Sequence, residues 1–89
     1  FLINIARASV VAEEDLLIAL RNRDIAGAGL DVYWSEPNVP QEMLTMDNVV
    51  LTPHIGSATQ ETRAKMGRIV VGNLISHFEG KPLLTQVKV

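Results

Sequence analysis

The sequence predicts an α/β protein built on a small parallel sheet, and three observations support this. Apolar runs of strand length occur at residues 2–6, 25–32 and 49–52. A short helical pattern separates the first two runs, so that strand, helix and strand form a βαβ unit. A long helical pattern, residues 57–79, follows the third run.

The first strand and its helix are predicted from composition and charge. Residues 2–6 are apolar almost throughout, which is typical of a strand covered on both faces. The helix begins near Glu13 and ends near Arg23, with acidic residues at its start and basic residues at its end. Ala12 stands at the cap position without a side-chain acceptor, an omission that costs about 1 kcal/mol.

The second strand, residues 25–32, is rich in small residues. Its Gly27-Ala28-Gly29 sequence is not a phosphate-binding loop, because no third glycine follows and no helix begins there. The next segment, residues 33–47, contains two prolines and is predicted to be a loop with one helical turn at residues 42–46.

The long helix has sequence signals at both ends. Ser57 and Gln60 have the spacing of a capping box, which places the start of the helix at Ser57. Gly80 and Pro82 predict its end. The tail at residues 81–89 is apolar enough to be expected to pack against another element.

Gly67 and Gly72 lie inside the long helix and each costs up to about 1 kcal/mol relative to Ala. Either they allow close packing against another element, or the helix is locally loose.

The first residue, Phe1, opens inside an apolar run, so we expect the chain to be the C-terminal part of a larger protein. Because a core of this size is marginal, we also expect the isolated chain to expose apolar surface and to associate or stay partly disordered.

Composition excludes several classes of protein. The chain is 47% hydrophobic and 20% charged, with a net charge of -2, which indicates a globular domain and argues against a nucleic-acid partner. No apolar run approaches the ~18 residues of a membrane span. The absence of cysteine excludes thiolate metal sites and fits a cytoplasmic protein. His54 and His77 lack the spacing of a metal site, so no metal is predicted.

Four ionisable residues follow the ends of the three predicted strands. Arg7 follows the first strand, Asp31 lies at the end of the second with Glu36 just beyond it, and His54 follows the third. The carboxyl ends of parallel strands meet at one edge of a sheet, where α/β proteins bind their ligands. We therefore expect these four side chains to converge on one crevice.

Together these side chains fit one chemistry, although each could have a structural role alone. An Arg offers a planar fork that binds a carboxylate. A carboxylate beside a His stabilises the protonated imidazole, which can then give its proton to a carbonyl oxygen. These groups suit the reduction of a 2-oxo acid when a cofactor supplies hydride. A nucleophilic pair of Ser57 and His54 is disfavoured because no nucleophile elbow is present. Tyr33 and Trp34 form either a ligand platform or a packed lid.

Three segments resemble the C-terminal part of the D-isomer-specific 2-hydroxyacid dehydrogenases. They are residues 3–7, residues 27–32 with Glu36-Pro37, and residues 48–59, in the family's order along nearly the whole chain. The resemblance implies the C-terminal part of a Rossmann-like doubly wound sheet in residues 1–56. Residues 57–89 would then be a long helix and tail returning to a substrate-binding domain.

The resemblance also implies roles for individual residues. Arg7 would bind the substrate, and His54, supported by Glu36, would be the acid and base for hydride transfer with NAD or NADP. Asp31 would accept a hydrogen bond from the nicotinamide carboxamide. Ala6 and Gly56 would line the cofactor site through their backbone. Arg7 and His54 would also lie at the cofactor site.

The details of the match favour one branch of the family. Ala8 stands where the family usually has Gly, and Ala12 stands where it often has Asp; Ala8 would tighten the site if that position requires a positive φ. Glu36 argues against the formate dehydrogenases and Ser57 against the corepressor branch, so the chain resembles glyoxylate/hydroxypyruvate reductases most. The parent protein would be a homodimeric enzyme acting on small 2-oxo or 2-hydroxy acids. The alternative is a non-catalytic, corepressor-like module that senses the cofactor.

Overall fold

The computed structural model describes residues 1–89 and divides into two units, Phe1–Gly56 and Ser57–Val89. The assignment of the second unit to a substrate-binding domain stays a prediction. None of the helices is long and apolar enough to cross a membrane. The elements of the first unit are β1 (Leu2–Asn4), α1 (Glu13–Arg21), β2 (Ala28–Leu30) and β3 (Val49–Leu51), with 3₁₀ helices at Ala8–Val10 and Gln41–Thr45; the second unit contains α2 (Gln60–Phe78).

The predicted parallel α/β architecture is confirmed. The three strands are parallel and lie in the order β1-β2-β3, with α1 as the connection between the first two. Three leucines of α1 pack with Ala28 and Leu30 of β2 in one buried cluster. Burial of each such leucine stabilises the fold by about 1.5–3 kcal/mol relative to leaving it exposed. The leucines are Leu16, Leu17 and Leu20.

The other face of the sheet is not covered within this chain. Ile3, Gly29 and Val50 occupy one register row across the three strands. The side chains at the two ends of this row are exposed, with relative accessibilities of 70% for Ile3 and 69% for Val50. The expectation that this chain exposes apolar surface is therefore confirmed, because the single crossover helix covers one face of the sheet.

The strands are shorter than the apolar runs that predicted them, and polar side chains explain the difference at β1. The Asn4 side chain accepts a hydrogen bond from the Ala6 amide at 3.1 Å and donates one to the Arg7 carbonyl at 3.0 Å. These bonds turn the chain after Asn4, so that β1 ends there rather than at Ala6. β2 ends at Leu30. The next residue, Asp31, still bonds the first strand, since its amide lies 3.0 Å from the Asn4 carbonyl oxygen.

Helix starts were predicted with mixed success. α1 begins after Ala12, which provides no side-chain cap, as predicted. The prediction that Ser57 caps the long helix is wrong, because Thr59 is the cap and its Oγ1 accepts a hydrogen bond from the Thr62 amide at 3.2 Å.

The 3₁₀ helix at Gln41–Thr45 replaces the helical turn predicted one residue later. Ala8 lies in the first 3₁₀ helix without a positive φ, so its methyl group causes no backbone strain.

The end of α2 confirms the signal carried by Gly80. This residue has φ 67, and its amide donates to the His77 carbonyl at 3.1 Å. The Lys81 amide donates to the Ser76 carbonyl at 2.8 Å. These two bonds are those of a Schellman motif, in which glycine supplies the left-handed conformation.

The two glycines inside α2 differ in surroundings. A Cβ atom built on Gly72 would lie 2.8 Å from Cδ1 of Leu84, whereas no atom lies within 4 Å of one built on Gly67. Gly72 therefore allows the tail to approach the helix, and Asn73 holds it there through hydrogen bonds with Thr85 of 2.8 and 3.2 Å. Beyond this contact the tail is largely exposed, so the predicted packing of residues 81–89 is limited to one turn of α2.

Alanine substitutions at two glycines should have opposite effects on helix α2. Gly67→Ala should raise helix stability by up to about 1 kcal/mol because it adds helix propensity without a clash. Gly80→Ala should lower it by about 1 kcal/mol because alanine disfavours the left-handed conformation. Circular dichroism during thermal unfolding of both variants checks this, and a stabilising Gly80→Ala would contradict the assigned helix end.

Candidate active site

His54 lies in an unusual turn at the carboxyl end of β3. Its φ is 55, in the left-handed region that glycine favours, and a residue with a Cβ atom in this region costs roughly 1–2 kcal/mol. Its amide donates to the Thr52 carbonyl at 3.1 Å. The turn places the imidazole at the edge of the sheet. Because the backbone conformation of His54 is strained, other contacts must hold it.

Asp31 supplies those contacts from the end of the neighbouring strand. Its Oδ1 accepts hydrogen bonds from Thr52 Oγ1 at 2.6 Å and from the Ile55 amide at 2.9 Å. Its Oδ2 accepts a hydrogen bond from the Gly56 amide at 2.9 Å. A Cβ atom built on Gly56 would lie 3.2 Å from this oxygen. The buried carboxylate therefore joins β2 to both amides that follow His54.

These hydrogen bonds also set the ionisation of Asp31. The hydroxyl of Thr52 and then the amide of Ile55 lower the pKa of the Asp31 carboxyl below its ordinary value, because they bond the charged form. Burial opposes this shift but does not reverse it. Asp31 is therefore a carboxylate whenever the fold is intact near neutral pH.

The lowered pKa predicts acid-sensitive stability. A carboxyl whose pKa falls on folding contributes stability above its unfolded pKa of about 3.9, and this contribution disappears as the pH falls through the folded pKa. Asp31→Asn should therefore flatten the acid side of the pH profile of the urea midpoint, besides lowering the midpoint at neutral pH. Asp24→Asn, at an exposed carboxylate without a side-chain hydrogen bond, should keep the original acid dependence. An unchanged acid limb in Asp31→Asn would refute the assignment.

Glu36 and His54 form a hydrogen-bonded pair at this edge. The Nδ1 atom of His54 lies 2.7 Å from Oε2 of Glu36, and the two side chains are 44% and 37% exposed. The other carboxylate oxygen, Oε1, accepts a hydrogen bond from the Tyr33 amide at 3.1 Å. The hydrogen bond with His54, followed by that from Tyr33, lowers the pKa of Glu36, and the positive charge of Arg7 adds to this effect.

The pair fixes which imidazole nitrogen is free. Because a carboxylate can only accept hydrogen bonds, Nδ1 of His54 must carry the hydrogen in the 2.7 Å contact. The Nε2 atom is then left to hold or release a proton. This is the arrangement needed for a general acid and base, because Glu36 orients the ring and occupies one nitrogen while the other stays available.

Tyr33 and Trp34 brace the segment between Asp31 and Glu36. The Tyr33 hydroxyl lies 2.7 Å from the Thr52 carbonyl oxygen and 3.1 Å from that of Leu30, which ties this segment to β3. Burial raises the pKa of this hydroxyl, so it remains a donor. Trp34 Nε1 donates to the Val11 carbonyl at 2.9 Å. Sequence reasoning named the two aromatic residues without assigning their contacts.

Two cavities share the Glu36–His54 pair. One, of about 390 Å³, is also lined by Arg7, Ser9 and Trp34. The other, of about 520 Å³, is lined by the apolar side chains of Val39, Leu44 and Leu51 among others. The structure thus brings together the predicted substrate-binding Arg and the predicted acid/base in one cavity, with the guanidinium free except for a 2.8 Å bond to the Ala6 carbonyl.

The predicted cofactor contacts have defined positions. The Gly56 amide is already bonded to Asp31, and the exposed Ala6 donates its amide to Asn4 and accepts from Arg7 through its carbonyl. The cofactor roles of these residues stay predictions.

Thr52, which bonds the carboxylate of Asp31, was missed by sequence reasoning, and its Thr-Pro-His context was the available signal. No group of three or more His, Asp or Glu side chains is arranged to hold a metal ion.

Curated relatives match almost the whole chain. A hydroxyphenylpyruvate reductase from Plectranthus scutellarioides is 55% identical over 86 residues, which cover 97% of this chain and 28% of the relative. A glyoxylate/hydroxypyruvate reductase A from Arabidopsis thaliana is 54% identical over 86 residues, with the same two coverages of 97% and 28%. The chain therefore spans less than a third of the length of these relatives.

A solved structure and a family assignment agree with these matches. An NADPH-dependent glyoxylate/hydroxypyruvate reductase from Sinorhizobium meliloti, in complex with NADP and malonate, superposes with a TM-score of 0.90 at 49% identity; the match covers 96% of this chain and 27% of that one. Residues 1–56 match the NAD binding domain of the D-isomer specific 2-hydroxyacid dehydrogenases. The chain belongs to this family.

Proposed function

We propose that the protein containing this chain is an enzyme that reduces small 2-oxo acids to 2-hydroxy acids with a nicotinamide cofactor. The observation that supports this most strongly is the 2.7 Å contact between Glu36 and His54 Nδ1. It leaves Nε2 without a hydrogen-bond partner, and His54 and Arg7 line the same cavity. A general acid and a fixed cation in one cavity are what a 2-oxo acid requires from the protein.

The proposed roles follow from the charges of the groups. The Arg7 guanidinium would bind the substrate carboxylate through paired hydrogen bonds and hold the carbonyl near His54. A bound nicotinamide would supply the hydride that C2 accepts. His54 would deliver the proton from Nε2 to the carbonyl oxygen, so one hydride and one proton give the hydroxyl product; in the reverse direction Nε2 would take that proton back. Glu36 would hold the ring throughout.

The proposal also assigns Asp31 to the nicotinamide carboxamide. The Asp31 carboxylate accepts two hydrogen bonds at Oδ1 but one at Oδ2, so it retains acceptor capacity. Its lowered pKa keeps it an acceptor, which suits the amide hydrogens of a carboxamide. In the proposal, Asp31 holds this amide, while the backbone at Ala6 and Gly56 lines the ring together with Arg7 and His54.

Substrate and cofactor classes are proposed from the relatives. Because relatives are named for glyoxylate, hydroxypyruvate and hydroxyphenylpyruvate, we place the substrate among small 2-oxo acids, with glyoxylate and hydroxypyruvate first. Either NAD or NADP fits the family, and the Sinorhizobium meliloti structure holds NADP. We further propose that the complete protein is a homodimer in the cytoplasm.

The proposed activity can be tested on the complete protein by following oxidation of NADH and NADPH. The assay uses glyoxylate, hydroxypyruvate and pyruvate as separate substrates, and cofactor binding is measured in parallel by calorimetry. We expect turnover with at least one acid. Tight cofactor binding without reduction of any of the three acids would reject the enzyme and favour a cofactor-sensing module. Sedimentation of the same sample would show whether it is a dimer.

A further inference from the structure

The two aromatic residues after β2 present carbon rather than polar surface to the cavity of Arg7 and His54. The hydroxyl of Tyr33 is bound to carbonyl oxygens of Thr52 and Leu30, at 2.7 and 3.1 Å. Trp34 Nε1 is bound to the carbonyl of Val11 at 2.9 Å. Both polar groups are therefore occupied, and neither residue has a hydrogen left to donate to a ligand.

Trp34 is nevertheless accessible from this cavity. Tyr33 is 7% exposed, whereas Trp34 is only partly buried and lines the cavity of about 390 Å³ with Arg7 and His54. Its ring is anchored by the bond to Val11, and an indole held in one orientation loses little further freedom when a ligand packs on it. The cavity thus combines a fixed cation, a proton-transferring group and a preorganised aromatic wall.

This division of the cavity has a consequence for substrate choice. In the proposed reaction Arg7 takes the carboxylate and His54 takes the carbonyl oxygen, so the third substituent on the substrate must fill the remaining space. Glyoxylate carries a hydrogen at this position, and the arylpyruvates carry a methylene group that bears a planar ring. A ring could pack against the indole in an offset or edge-to-face arrangement, whereas a hydrogen could not.

We infer that Trp34 is a specificity-determining residue that contacts the substituent of the 2-oxo acid and favours planar aromatic substituents. The inference rests on the proposed function, because it requires the carboxylate and the carbonyl to be bound by Arg7 and His54. Aromatic contacts of this kind contribute enough to change a rate ratio about tenfold.

The test compares phenylpyruvate with glyoxylate in the complete protein and in two variants. Trp34→Ala removes the ring, and Trp34→Phe keeps a ring while removing the bond to Val11. We expect Trp34→Ala to lower the ratio of kcat/KM for phenylpyruvate to that for glyoxylate about tenfold, mainly through KM. Trp34→Phe should keep most of the ratio. An equal loss for both acids, or an unchanged ratio, would overturn the inference.

A second measurement covers the case in which Trp34→Ala fails to fold. Quenching of tryptophan fluorescence by phenyllactate is compared between the original protein and Trp34→Phe. We expect the quenching to fall in the variant, because the contacted indole is missing; equal quenching would overturn the inference. If the original protein reduces neither acid although it binds the cofactor, the proposed function fails, and this result is distinct from an unchanged ratio.

Discussion

Replacing His54 by Gln in the complete protein should lower kcat for 2-oxo acid reduction by about 10²- to 10⁴-fold. Glutamine can still bond Glu36, so the turn and the carboxylate keep a partner. It cannot supply a proton to the carbonyl oxygen at neutral pH, and hydride transfer would then leave an unprotonated alkoxide. We therefore expect the loss in kcat while the Kd of the cofactor stays within about twofold, as measured by steady-state kinetics and calorimetry.

The same substitution at the other histidine is the matched control. His77 is exposed on α2 and packs edge-on against Phe78, with ring centroids 5.3 Å apart. His77→Gln should leave kcat unchanged. Equal turnover in His54→Gln and in the original protein would remove the acid/base role. Glu36→Gln should give a smaller loss than His54→Gln, because it weakens the support of the ring but leaves the proton carrier.

Arg7→Met should lower kcat/KM for small 2-oxo acids by about 100-fold, with most of the effect in KM. The guanidinium lines the cavity and has a single hydrogen bond, to the carbonyl of Ala6, so most of its donors are available to a carboxylate. Arg7→Lys should recover part of the loss, because it restores the charge without the planar fork. Initial-rate kinetics over a range of acid concentrations separates KM from kcat.

Arg23→Met provides the control for the loss of a positive charge. Arg23 pairs with Asp47 at 2.8 Å, and the two side chains are well exposed, at 62% and 81%. Exposed pairs of this kind contribute about 0–1 kcal/mol, so this variant should keep the KM of the original protein. A comparable rise in KM in Arg23→Met would show that net charge, rather than a contact from Arg7, attracts the substrate.

The order of elements could be predicted from the sequence because the apolar pattern determines it. The charge pattern predicted the helix between the first two strands, Gly80 predicted the end of α2, and both are confirmed. The end of β1 could not be predicted, because it depends on the side chain of Asn4, which bonds the backbone two and three residues further along. The helix cap was misplaced because Ser57 and Thr59 both have suitable hydroxyl groups.

The candidate site was predictable in its composition but not in its construction. Adjacent strand ends predicted that Arg7, Glu36 and His54 would converge, and the structure brings them to one cavity. The left-handed conformation of His54 carries no signature in a single sequence. The bonds from Asp31 to Thr52 and to two backbone amides depend on tertiary geometry, which apolar periodicity does not encode.

If Asp31 also binds the cofactor, as we propose, its two roles have a thermodynamic consequence. One carboxylate holds the two amides that follow His54, and its Oδ2 has acceptor capacity left for a nicotinamide carboxamide. A shift of the carboxylate on cofactor binding would then be transmitted to the turn, so cofactor affinity and imidazole placement would be coupled. Since coupling free energies are reciprocal, the factor by which bound cofactor changes the affinity for the acid would equal the factor by which bound acid changes the affinity for the cofactor.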